Sequence, residues 1–372
     1  MNIAVVSPYV YSYFDPDYGP TPGGAQRQQY LLTNQLIDRG HDISFIVGDF
    51  GQPRKKTING ITLFKGAPTA VDGPLSIGIA AARLIRVMRS VNPDVFLVRG
   101  SPKLTAATYC CARLLRKPMV FRLANDSDID PEYLQSNYSA SLQQLYRSAV
   151  RGAAAVMTQT EQQQEALKQE FGVDSRVVTN AYDLPSENEI VPHSEREGIL
   201  WVGSADPHQK KPQRFLHLAN ALPNIRFNMI AKPIIGDGGC YDRLQSEAQD
   251  ISNLKFIGEV SPGSIHKYYN QNKVLVNTSD YEGFPNTFLE AWRYETPVLS
   301  HSFDIDGLLS SSEVGFLTGD LDTLIQKTRL LNQDTELRSQ IGSAARQLIK
   351  QKFSLDAVTT EYETVFRISV SE

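Results

Sequence analysis

Two carboxylates, Glu282 and Glu290, enclose Gly283, Phe284, Pro285, Asn286 and Thr287 in the segment KVLVNTSDYEGFPNTFLEAWRYETPVLS, residues 273–300. Ionised carboxylates accept hydrogen bonds from hydroxyl groups. Glycine lets a ligand approach the backbone closely, and a helix start offers free N–H groups to an anion. Together these residue types suit a ligand that is part sugar and part phosphate. Thr287 and Glu290 also have the spacing of a capping box, so Glu290 can close a helix start, and the two roles can coexist. Cations lie upstream in WVGSADPHQKKPQRFLHLA: Lys210, Lys211 and, one helical turn beyond Lys210, Arg214. A Gly23-Gly24 pair stands before a helical segment near the N-terminus. Asn125-Asp126-Ser127-Asp128 follows an apolar run further on.

The elements that must position these residues are read from periodicity. Val274-Leu275-Val276 reads as a buried strand, Thr287 to Tyr294 as a helix and Pro297-Val298-Leu299 as the next strand. A strand–loop–helix–strand unit of this kind belongs to a parallel sheet, and ligands bind at the carboxyl edge of such sheets. The alternation runs through the chain. Strands are expected at 3–6, 43–47, 61–64, 94–98, 119–123, 154–158 and 176–178, with helices at 25–39, 77–90, 104–116 and 161–170. A second series starts at 199–202 and ends in helices at 321–331, 335–351 and 354–366. Residues 185–197 are polar and hold two prolines, so they read as an interdomain linker. Two doubly wound α/β domains are therefore expected, at 1–184 and 198–354.

EGFPNTFLEA, followed by Pro-Val-Leu-Ser, resembles the E-x7-E signature of the retaining glycosyltransferases of family 4. The resemblance implies the GT-B fold, with two Rossmann-like domains facing a cleft, and a final helix, 355–368, that packs back on the first domain. It implies that Glu282 contacts the donor sugar and Glu290 the ribose of a nucleotide diphosphate sugar. That compound is a substrate, so no cofactor is expected and no metal is required. Gly23 and Gly24 are similar in place to a pair under the donor's phosphates. Lys210 matches a phosphate-binding lysine, with Lys211 one place off, while Ser204 stands where the family has an arginine. Backbone amides at Gly283, Phe284, Asn286 and Thr287 would add donors. Asn125-Asp126 occupies the loop where family members often place a histidine, so both join Glu282 and Lys210 as catalytic candidates. Asp126-x-Asp128 also has the form of the metal motif of the other transferase fold, GT-A; the cleft-loop reading is favoured because Glu282 and Glu290 belong to GT-B.

Composition narrows the classes. The chain has 372 residues, 41% hydrophobic and 21% charged, enough for two full cores. A net charge of −4 gives no case for nucleic acid. No apolar run reaches the roughly 18 residues of a membrane span. Three cysteines, two of them adjacent, form no disulfide or zinc pattern and fit a reducing cytoplasm. Arg83, Arg86 and Arg89 share a helix with Leu84, Ile85, Val87 and Met88, and Arg113, Arg116 and Lys117 follow on another. Such faces suit peripheral contact with an anionic membrane, or else a helix that covers a sheet and turns basic residues to solvent. The expected activity is transfer of a sugar to a carbohydrate or glycolipid acceptor, in polysaccharide or glycolipid synthesis. A GT-B epimerase or hydrolase, or a sugar-nucleotide-binding protein without turnover, are the alternatives.

Overall fold

The computed structural model describes residues 1–15, 17–19, 23–69, 74–234, 238–311 and 313–371, with the backbone alone at 74–77. Between strand 3–6 and helix 25–39 the sequence, rich in Tyr, Pro, Asp and Gly, reads as a long loop from Ser7 to Gly24, and part of it, at 16 and 20–22, lies outside the described residues. The chain forms two units, one of Met1–Ala181 with Leu355–Glu372 and one of Tyr182–Ser354.

In the first unit the strands are β1 (Asn2–Val6), β2 (Asp42–Val47), β3 (Lys55–Ile58), β4 (Ile61–Lys65), β5 (Val95–Arg99), β6 (Met119–Arg122), β7 (Ala155–Thr158) and β8 (Arg176–Val177). They form one sheet in the order β3-β4-β2-β1-β5-β6-β7-β8, parallel except for β3 against β4. Ile3–Val6 and Val95–Val98 are buried throughout, as strands covered on both faces must be. The antiparallel pair turns on Asn59-Gly60, both at positive φ, the signature of a two-residue hairpin. Sequence reading took only the second strand of that hairpin. It also passed over helices Pro131–Asn137 and Ala140–Arg151. Helix Leu355–Ser371 belongs to this unit, and Val358, Tyr362, Val365 and Phe366 join one core with Ile3, Phe45, Val120 and Met157. Arg122, buried at the end of β6, donates to the Tyr362 hydroxyl, to Val178 and Thr179 carbonyls and to Asn180 Oδ1 at 2.8 Å.

The second unit holds β9 (Ile199–Ser204), β10 (Phe227–Lys232), β11 (Leu254–Phe256), β12 (Val274–Asn277), β13 (Val298–Ser300) and β14 (Gly315–Leu317), all parallel, in the order β11-β10-β9-β12-β13-β14. The strand order reverses between β9 and β12, so the loops leaving these two strands part at the carboxyl edge.

Residues 185–197, expected as a linker, lie within the second unit. Arg196 is 1% exposed and donates to Val191 O, Thr296 Oγ1 and Tyr294 O at 2.8, 2.9 and 2.8 Å. A polar composition had hidden a buried guanidinium that satisfies three acceptors. His193 beside it is buried as well, and burial, aided by Arg196 and Arg338, lowers its pKa from 6.5 to about 3. The unfolded chain therefore takes up a proton near pH 6.5 that the native protein refuses until about pH 3. Stability contributed by this site is full above pH 6.5 and falls as the pH drops through that window, by up to roughly 1.4 kcal/mol per unit. His193→Leu should flatten the acid limb of a urea-unfolding series between pH 6 and 4; an identical slope in both proteins would show that His193 is protonated in the native state.

Candidate active site

Lys210 and Glu282 meet where β9 and β12 diverge. Glu282 is 7% exposed, and Lys210 Nζ donates to its Oε1 and Oε2 at 2.6 and 2.7 Å. Ser279 Oγ donates to the same carboxylate at 2.6 Å and Asn277 Nδ2 at 3.3 Å. A carboxylate so far out of water is costly to bury without such a set of donors. Lys210 keeps one of its three N–H groups for another acceptor.

Two loops carry the pair, and they are cross-linked. Thr278, fully buried, donates to Lys210 O at 2.6 Å and accepts from Trp201 Nε1 at 2.8 Å. Asp280 N donates to Gln209 O at 3.0 Å, and Gln209 Nε2 to Tyr281 O at 3.1 Å. Asp206 Oδ1 accepts from His208 N and Gln209 N at 2.8 and 3.0 Å, which winds the loop after β9 tightly. A Cβ at Gly203 would lie 2.7 Å from the Trp201 indole, so the glycine is what lets this ring lie against β9.

The other expected cations are engaged. Arg214 donates to Thr278 O at 2.9 Å and pairs with Asp280, and Lys211 Nζ lies 3.5 Å from the same carboxylate. Burial alone would raise the Asp280 carboxyl, but Arg214 and Lys211 outweigh it and hold it below its ordinary value. Ser204 ends β9 and pairs in register with Lys232, the last residue of β10. Lys232 is exposed and beside the position where the resemblance leads one to expect an arginine. Sequence reading missed it because only the parallel register brings 204 and 232 together.

Glu290 is 8% exposed and accepts from Tyr182 Oη at 2.8 Å. The helix that carries it, Asn286–Trp292, starts one residue earlier than the spacing predicted, with Pro285 at its N-cap. Thr287 is thus inside the helix, and the capping-box reading of Thr287 and Glu290 is corrected. Asn286 and Thr287 are half-buried in its first turn. Phe284, expected at the ligand, is buried with its ring against Phe353 at 6.1 Å.

The remaining candidates lie in the first unit. Gly23 is the N-cap of helix Gly24–Asp38, and its N–H donates to Gln26 Oε1 at 3.1 Å. Asn125 and Asp126 are exposed in the loop after β6. The aspartates of Asp-x-Asp face different partners. Asp126 accepts from Gln163 Nε2 at 2.9 Å, while Asp128, buried, accepts from Ala124 N and Asn125 N at 2.9 and 3.1 Å. Burial raises the Asp128 carboxyl, partly offset by those N–H groups. Its role is to hold the loop.

Comparisons with known proteins agree with this architecture. Residues 196–334 match the family model for glycosyl transferases group 1, and residues 22–185 match that for glycosyltransferase family 4. The chain is 23% identical to the lipopolysaccharide core biosynthesis glycosyltransferase LpsD of Rhizobium meliloti over 358 residues, 95% of this chain and 97% of the relative. It is 31% identical to the capsular polysaccharide biosynthesis glycosyltransferase CapM of Staphylococcus aureus over 109 residues, 28% of each chain. The fold matches sucrose-phosphate synthase of Thermosynechococcus elongatus with a TM-score of 0.77 at 15% identity, covering 99% of this chain and 98% of that one. It matches Anabaena HepE in complex with UDP with a TM-score of 0.74 at 16% identity, covering 99% and 100%.

Because Thr278 ties both loops to the sheet, Thr278→Val should leave the Trp201 N–H and the Lys210 carbonyl unpaired. A loss of about 1–3 kcal/mol is expected in chemical unfolding. An unchanged midpoint would mean that the loops are held by other contacts.

Proposed function

We propose a specific reaction for this chain, which belongs to the group 1, family 4 glycosyltransferases of GT-B fold: retaining transfer of a sugar from a nucleotide diphosphate sugar to an acceptor hydroxyl, in polysaccharide or glycolipid synthesis. The observation that carries the reading is the Lys210–Glu282 pair at the carboxyl edge between β9 and β12, with Glu290 in the helix that follows. Glu282 accepts hydroxyls of the donor sugar, and Glu290 accepts those of the ribose. Lys210 turns its remaining N–H to the diphosphate, where charge grows as the leaving group departs. Lys232 supplies the second cation, in the place of the arginine that Ser204 replaces. Backbone amides at Gly283, Asn286 and Thr287 add to the donor's environment, and Gly23 and Gly24 are assigned to its phosphates by the resemblance. UDP is the nucleotide to test first, since the HepE structure holds it.

In the reaction the bond from the anomeric carbon to the diphosphate oxygen breaks, and a bond to the acceptor oxygen forms on the same face. The acceptor's proton passes to the departing diphosphate. Asn125 and Asp126 are assigned to the acceptor hydroxyl. Lys210, Lys232 and backbone amides can carry the diphosphate charge, so turnover should survive EDTA. An α-linked donor should give an α-linked product by NMR; a β-linked product would end the retaining assignment. Release of free sugar without acceptor would replace transfer by hydrolysis.

Donor affinity by calorimetry and turnover should separate the residues. Glu290→Ala should weaken nucleotide binding, and Glu282→Ala should chiefly lower turnover. Lys210→Ala should cost both, and Lys232→Ala affinity alone, by about 1.5–3 kcal/mol for a charge-assisted bond. Ser204→Arg should rescue Lys232→Ala. Unchanged donor affinity in Lys210→Ala would sink the phosphate assignment.

We also infer a cytoplasmic protein at the inner face of an anionic membrane. Its cysteines are free. Among the described residues no helix is long and apolar enough to cross a membrane. Leu84 and Met88 are fully buried in the core, so helix Pro74–Val91 covers the sheet with them. Membrane contact rests instead on exposed Ile79 and Leu114 beside exposed Arg86, Arg89, Arg113 and Arg116. The protein should float with anionic vesicles at low salt and stay at the bottom with neutral ones; sedimentation with both would remove the membrane from the account.

A further inference from the structure

The first unit contains a cavity of about 1310 Å³ that the donor chemistry does not use. It exceeds the roughly 300–1,000 Å³ of ordinary small-molecule sites. Its walls come from helices Pro74–Val91, Pro102–Leu115 and Ala140–Arg151, which present Ile85, Leu104, Ala107 and Leu142. The sheet edge closes one end. Ser7 after β1, Arg99 and Gly100 at β5, and Asn125 after β6 gather there, where the strand order reverses between β1 and β5. Leu114, 73% exposed, and Leu145, 40% exposed, form part of the rim. Apolar side chains left in water beside an apolar hollow mark a binding surface.

Charge identifies the occupant. Arg99 lines the polar end and forms no ion pair among the described residues; its Nη atoms donate to Ala25 O and Gln159 Oε1, and its Nε has no partner there. Lys103, in the first turn of helix Pro102–Leu115, also lines the cavity, exposed and without an ion-pair partner among the described residues. Buried Asp128 lines the same end and interacts electrostatically with Arg99, but two cations face this one carboxyl. An apolar hollow with that excess of positive charge at its polar end fits an amphiphile whose anionic group joins a hydrocarbon chain to a polar head.

We propose that this cavity holds the hydrocarbon chain of a lipid-linked acceptor, with Arg99 and Lys103 on its phosphate or diphosphate linkage and its sugar hydroxyl toward Asn125. The proposal names the acceptor class for the transfer reaction and rests on that reading for the identity of the reacting hydroxyl alone. Chain binding stands or falls separately.

Geranyl, farnesyl and geranylgeranyl phosphate, used as monomers, are the probes. The longest should bind at least about tenfold more tightly than the shortest, because buried methylenes add to affinity until the cavity is filled. Farnesol should bind about tenfold more weakly than farnesyl phosphate, and Lys103→Ala should narrow that gap. Ala107→Trp, which fills the hollow, should abolish the dependence on chain length and leave UDP affinity unchanged. If Ala107→Trp no longer melts cooperatively, the rim variants Leu114→Asp and Leu145→Asp replace it and should weaken geranylgeranyl phosphate at least threefold. Equal affinity for all chain lengths, full binding by the filled or rim variants, or binding to vesicles but never to monomeric probes would overturn the proposal. Absence of UDP binding alongside chain-length dependence would overturn the donor reading and leave this one standing.

Discussion

The ion pair of Lys210 and Glu282 is the contact on which the rest of the second unit depends. Neither partner tolerates its position alone: a carboxylate that is 7% exposed loses most of its hydration, and a single lysine supplies the compensating charge. The pair survives because Ser279 and Asn277 complete the carboxylate's hydrogen bonds. Satisfying it in turn dictates the loops. The carbonyl of Lys210 is taken by Thr278, Thr278 is taken by Trp201, and Trp201 has room only because residue 203 is glycine. Loops at sheet edges are ordinarily mobile, but these two are stitched by side chains whose removal strands a buried polar atom. Such stiffness suits a site that must hold charge in fixed positions as a leaving group departs.

What the sequence disclosed follows the distance over which each contact acts. EGFPNTFLEA was readable because its chemistry is contiguous: one loop, one short helix and two glutamates in register with a strand on either side. Most sheet strands were readable too, since buried parallel strands are near-continuous apolar runs such as Ile3–Val6. The exceptions have local causes. Lys55–Ile58 is an edge strand with Lys55 and Thr57 exposed and Ile58 as its one apolar residue, so it carried little apolar signal, although Asn59-Gly60 marked the turn. Residues 131–151 begin with a polar helix and hold only Leu134, Tyr146, Ala149 and Val150 as buried anchors.

Long-range pairs were not readable. Tyr182 meets Glu290, Lys210 meets Glu282 and Lys232 flanks Ser204 only after the sheet has formed. The same holds for residues 185–197. Their polar composition is that of a linker, yet Arg196 finds acceptors at Thr296 and Tyr294, and no local pattern announces this. A basic residue in a polar stretch looks alike whether it ends in water or against a buried carbonyl.

The two units solve recognition by different physics. In the second, the candidate site is built from charged and hydrogen-bonded side chains with fixed partners, Lys210 on Glu282 and Tyr182 on Glu290. Such a site rejects a wrong ligand strongly, because the mismatch leaves buried polar atoms unpaired. The cavity of the first unit has apolar walls, and an apolar wall distinguishes ligands weakly, by little for each methylene added or lost. Volume therefore cannot choose one chain among several of similar length. Selectivity on that side must come from its polar end, from the two cations Arg99 and Lys103 and from the loop that Asp128 holds in place through Ala124 and Asn125. Burial, with Arg122 nearby, lowers the Arg99 guanidinium to about 9, which leaves it charged at neutral pH and poorly solvated. A poorly solvated cation gains from an anion held beside it, and burial of the hydrocarbon chain in the hollow would hold the attached phosphate there. The apolar wall thus strengthens the polar contact it leads to, and the two together define an acceptor that neither would select alone.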